Sequence, residues 1–125
     1  MNYRIALGLS TMALLYMASS AAVAQSAPPS YQADPDVYKV IFEDQNFRVI
    51  ASTRKKGVHD KTHGHPVASV IYNINDCVTR LYAADGKTND VTGKAGTAGA
   101  VPVTASHSAE NVGPADCQTV FVERK

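Results

Sequence analysis

After residue 36, no apolar run in this chain is longer than a strand, and none repeats at helical spacing. The runs are VYKVIF (37–42), FRVIAST (47–53), ASVIYNI (68–74) and VTRLYA (78–83), with shorter β-prone pieces at 101–105 and 118–123. β-branched and aromatic residues dominate them, which suits a pleated, half-buried surface. Polar breaks separate them: EDQN after Phe42, ADGK at 84–87 and VGPAD at 112–116. In ADGK, Asp-Gly supplies the positive-φ positions of a tight hairpin. The segment GKAGTAGA (93–100) reads either as a linker or as a tight turn leading into a strand. Short strands punctuated by turns at intervals of about eight to twelve residues predict an all-β sandwich or barrel.

The N-terminus has a different pattern. Arg4 precedes the largely apolar stretch 5–17, and small residues follow, ending in Ala22-Val23-Ala24. A basic start, a short apolar run and an A-x-A exit predict a signal peptide over 1–24, cleaved after Ala24, and a periplasmic or secreted product. The apolar run is shorter than the roughly 20 residues of a membrane span. Residues 25–36, QSAPPSYQADPD, are rich in Pro, Ser and Ala and read as a flexible lead into one domain over 37–123. The chain carries 12 Lys and Arg against 11 Asp and Glu, and without Arg4 the balance is eleven against eleven. Neither nucleic acid nor, after cleavage, a membrane is expected as a partner. Two cysteines in an exported chain permit a Cys77–Cys117 disulfide, the other reading being two partly buried thiols.

Three of the four histidines fall in HDKTHGH, residues 59–65. His63 and His65 are two apart, so in an extended strand both imidazoles face the same way and can chelate one ion. The fourth, His107, joins them only if the fold brings it back.

Two spacings carry a family resemblance. Gly57 is followed by five residues and then His63-Gly64-His65. Gly96 is followed by five residues and Pro102, with His107 five further on and Asn111 four beyond that. These resemble the two motifs of the cupins, with Thr104 where the second motif usually has glycine. The resemblance implies a double-stranded β-helix, or jelly roll, whose barrel brings His107 across to face His63 and His65. It also implies a metal held by three histidines and a glutamate. The glutamate positions hold Ser69 and Val70, so the implied ligand set is reduced to His63, His65 and His107. Three neutral imidazoles suit Zn(II), Fe(II), Cu(II) or Ni(II).

His59 is either a fourth ligand at the barrel mouth or an exposed loop residue, and Asp60 reads as a turn residue. Tyr72 can project into the cavity or pack in the core. Asn111 can touch a ligand or fix a strand end. Glu110 faces solvent by alternation. The function expected is a small binding module holding a small molecule or a divalent metal. The alternative is a three-histidine enzyme of oxygenase or isomerase type. A homodimer through the strand at 37–42 is the expected assembly.

Overall fold

The structure is a computed structural model describing residues 25–125. The expected signal peptide, 1–24, lies outside the described residues. In chain order these form α1 (Ser30–Ala33), β1 (Tyr38–Glu43), β2 (Phe47–Arg54), β3 (His63–His65), β4 (Ser69–Asn73), β5 (Cys77–Ala83), β6 (Thr88–Gly93), β7 (Ala98–Val101), β8 (Thr104–Asn111) and β9 (Cys117–Arg124). They make two antiparallel sheets. One has the order β1-β2-β9-β4-β7 and the other β3-β8-β5-β6. The all-β, jelly-roll expectation holds.

The turns act as their residues dictate. Gly86, in the ADGK break, has φ of 84° and closes the β5–β6 hairpin. Gly96, at φ 77°, turns the chain from the edge of one sheet to the edge of the other. The segment 93–100 is therefore a turn and a strand. β6, TNDVTG, has weak strand propensity and no apolar alternation, and the hairpin aligns it against β5.

The larger sheet turns its polar side inward. On β2 the inward residues are Arg48, Ile50, Ser52 and Arg54; on β4, Ser69, Ile71 and Asn73; on β9, Cys117, Thr119, Phe121 and Glu123. The outward side carries a cross-strand row, Phe42, Val49, Val122, Val70 and Ala100, beside a second row of Ala51, Val120, Tyr72 and Ala98. The apolar core proper is small: Val37, Tyr38, Ile50 and Phe121, with Tyr31, Val58, Ile71 and Val101 packed against it.

A disulfide joins Cys77 on β5 to Cys117 on β9 and so ties one sheet to the other, with the Cα atoms 5.2 Å apart. A bridge spanning 40 residues contributes about 3–4 kcal/mol in the loop-entropy model.

The lead at 25–36, expected to be flexible, lies against the barrel instead. Ala27 N–H donates to Ala105 C=O at 2.9 Å and Gly64 N–H to Pro28 C=O at 2.8 Å, which adds the lead as a parallel partner at the edge of β3. The helical turn α1 follows, with Ser30 and Asp34 buried. Asp34 Oδ2 accepts the Lys61 N–H at 3.0 Å, tying the lead to the loop before His63. Composition pointed to flexibility, but unpaired strand edges recruit backbone whatever its side chains.

Candidate metal centre

β3 and β8 are neighbours in the smaller sheet, and His63 sits directly opposite His107 in their register. The register slips by a residue between His63 and His65, yet all three rings stay on the inner side. Ring centroids are 4.6 Å apart for His63–His107, 5.0 Å for His65–His107 and 5.2 Å for His63–His65. One nitrogen from each lies within 4.8 Å of the others. His107 is therefore brought alongside His63 on the adjacent strand, not across the barrel as expected.

The nitrogens are prepared for a Lewis acid. His63 Nδ1 can only donate to the Lys61 carbonyl, 2.8 Å away, so in the neutral ring the lone pair lies on Nε2. His107 Nε2 is buried without a hydrogen-bond partner. Burial first, and then the neighbouring imidazoles, push His65 and His107 down to about 4, which keeps both neutral at pH 7. A buried nitrogen left without a partner costs stability unless something occupies it, and a divalent ion fits that need.

Behind His63 lies a network that local sequence did not reveal. Asp60 Oδ2 accepts from the Tyr38 hydroxyl at 2.6 Å and from Arg54 Nε and Nη2 at 3.2 and 2.8 Å. Asp60 Oδ1 accepts the Ala109 N–H at 2.7 Å and lies 3.8 Å from His63 Nδ1. Arg54 Nη2 also donates to the Tyr38 oxygen at 2.6 Å. Burial outweighs the opposing Arg54 charge and holds the Tyr38 phenol protonated, well above its ordinary range. Asp60 is thus a buried anchor, not the turn residue expected. Two of its partners, Tyr38 and Ala109, lie 22 and 49 residues away, beyond any local pattern. Arg54 did leave a trace, because it shares the parity of Ile50 on β2.

The histidines open onto a cavity of about 400 Å³ between the sheets. Its apolar lining comes from both sheets, Ile71, Val101 and Phe121 from the larger and Leu81 and Val91 from the smaller, and Phe121 stacks on His65 with centroids 5.8 Å apart.

No family model matches the sequence, and no curated protein does. The fold, however, matches solved structures. A cupin domain from Bordetella pertussis Tohama I aligns over 81% of this chain and 98% of its own, with TM-score 0.66 and 16% identity. An RmlC-like cupin family protein with a double-stranded β-helix fold, from Methanocaldococcus jannaschii, aligns over 70% and 78%, with TM-score 0.57 and 14% identity. The chain has the cupin fold. It is also similar to part of an oxalate decarboxylase from Bacillus subtilis, covering 64% of this chain but 22% of that one, with TM-score 0.51 and 23% identity.

The remaining candidates fall into place against the cupin frame. His59 is exposed, stacks on Tyr82 at 4.5 Å and hydrogen-bonds with Ser108 Oγ at 2.8 Å; it stands apart from the histidine cluster. Tyr72, expected either in the cavity or in the core, is in neither: it is 45% exposed on the outer face, because β4 turns Ser69, Ile71 and Asn73 inward. Asn111 is buried but does not line the cavity: its amide donates to the Arg54 and Ala115 carbonyls and accepts the Gly113 N–H. It fixes the end of β8. Glu110, expected in solvent, is half-buried and accepts the Tyr82 hydroxyl. Ser69, at the glutamate position of the first motif, lies outside the cavity lining, and among the described residues no carboxylate lines it.

Proposed function

We propose that the protein is an exported binding module that holds one divalent transition ion on His63, His65 and His107 and takes a small molecule into the adjoining cavity. The observation that carries this reading is the buried Nε2 of His107, without a partner among the described residues, in a cluster where one nitrogen from each of the three histidines lies within 4.8 Å of the others. The donor set, imidazole alone, suits Zn(II), Fe(II), Cu(II) or Ni(II) over Mg(II) or Mn(II). The Cys77–Cys117 bridge supports an oxidising compartment. An enzyme of oxygenase or isomerase type has one point in its favour, the coordination positions that three ligands leave free. Against it, the nearest carboxylate, Asp60, is fully engaged by Tyr38, Arg54 and Ala109. Self-association fits the outward apolar rows of the larger sheet, where Phe42 and Val70 are half exposed. Sedimentation at micromolar concentration tests it, and a mass of one chain rejects it.

Metal analysis of protein purified without a histidine tag, followed by calorimetric titration with the four ions, tests the main reading. His107→Ala should weaken uptake at least ~100-fold, because two histidines chelate poorly, whereas His59→Ala should change it little. If wild type and His107→Ala take up all four ions equally weakly, the reading fails. Since burial pushes His65 and His107 down to about 4, protons should compete with the ion for these two nitrogens only well below the ordinary histidine value of about 6.5.

A further inference from the structure

The wall of the cavity restricts what can share it with an ion. Among the described residues, the lining holds no Asp, Glu or Lys, and Arg54 is its one formally charged group. That charge is already matched: Arg54 Nη2 lies 2.8 Å from Asp60 Oδ2, and the Asp60 side chain is completely buried behind the lining. A divalent ion on three neutral imidazoles would therefore keep its full double charge. It would do so in a pocket otherwise lined by Ile71, Leu81, Val91, Val101 and Phe121. An uncompensated charge in such surroundings is costly, and the cost falls when an anion fills the free coordination positions. Beyond the histidines, the wall offers mainly apolar surface. On β7 the inward positions are Gly99 and Val101, and Gly99, opposite Ile71, has no side chain, which leaves room for a chain or ring.

We infer that the ligand is a small organic carboxylate with an apolar body, its carboxylate directed to the ion and its body lying against Leu81 and Phe121. This rests on the metal reading above. The apo cavity carries no net charge and gives a carboxylate no advantage over a neutral molecule of the same shape; the advantage appears with the ion.

The test uses the whole protein with zinc as the probe ion and calorimetry as the readout. Zinc uptake is measured first, then hexanoate, hexanamide and acetate are titrated into the loaded and the zinc-free protein. Loaded protein should bind hexanoate at least tenfold more tightly than hexanamide, and at least tenfold more tightly than acetate. Zinc-free protein should bind hexanoate and hexanamide alike. Leu81→Ser should weaken hexanoate severalfold and leave acetate unchanged. Zinc uptake with no preference for hexanoate over hexanamide overturns this inference alone. Acetate binding as tightly as hexanoate overturns the apolar body. Failure to take up zinc removes the metal reading and this inference with it.

Discussion

β2 sends an arginine into each end of the barrel, and the two are treated differently. Arg54 meets a carboxylate whose oxygens accept four hydrogen bonds within 3.2 Å, from the phenol, the guanidinium and a backbone N–H. Arg48, six residues earlier, reaches Glu123 through one contact of 3.3 Å and leaves its Nε buried without a partner. It divides itself between Glu123, the half-exposed Glu43 at 2.8 Å and the Tyr31 ring, 4.6 Å away. A saturated network holds one geometry, whereas a partly satisfied one can settle in several. The Asp60 network lies at the end that carries the histidines, so the better-paired arginine sits beneath the candidate site.

The largest effect should come from removing the anchor at that end. Asp60→Ala leaves Arg54 buried and unpaired and should cost about 3–5 kcal/mol in urea unfolding. The matching change at the other end, Glu123→Ala, should cost clearly less, because Arg48 keeps Glu43. Equal losses would break the comparison.

Next in size is the disulfide. Cys117 pairs with Arg54 across β2 and β9, so the bridge staples the histidine end. Replacing both cysteines by serine should lower stability by about 3 kcal/mol. Amide exchange should rise first in β5 and around Cys117; a rise centred on Arg48 and Glu123 would place the staple's effect at the wrong end.

Acid should also act on one end. His65 and His107 titrate at about 4 when folded, against about 6.5 in the unfolded chain, so the unfolded chain binds protons first as pH falls. Their stability contribution is complete above pH ~6.5 and is lost progressively toward pH ~4, on the order of 2–4 kcal/mol for the pair. Urea midpoints at pH 7, 5.5 and 4 should show the decline in wild type and a shallower one in a His65→Asn/His107→Asn double variant. Parallel declines would assign the loss to other groups.

The smallest effect should be at Tyr72. Tyr72→Ser should leave metal uptake and cavity binding unchanged, since the side chain lies on the outer face.

Tyr72 also shows why part of the site was not legible in the sequence. Strand existence and the His63/His65 pairing follow from period-two alternation, and the second spacing pointed to His107. The phase of β4 does not follow. In ASVIYNI the apolar members Val70 and Tyr72 face outward while Ser69 and Asn73 face the interior, the reverse of the usual rule for a half-buried strand. A strand that turns Ser and Asn inward and Val and Tyr outward defeats hydrophobicity as a guide to direction. Asp60 and Tyr38 were hidden for another reason, since their roles exist only once β1, β2 and β8 are assembled.

Gly64 first reads as a spacer between two histidines. A Cβ there would meet the backbone oxygens of Ala105, Ala27 and Thr104 at 2.8, 3.0 and 3.1 Å, because β8 and the docked lead together leave no room beside β3. Gly99, on β7, would meet only an Ile71 methyl at 3.9 Å. Sequence drift should therefore pass freely through position 99 and stop at position 64, where every other amino acid forces two backbone segments apart. The residue that offers no chemistry of its own is among the least replaceable in the chain.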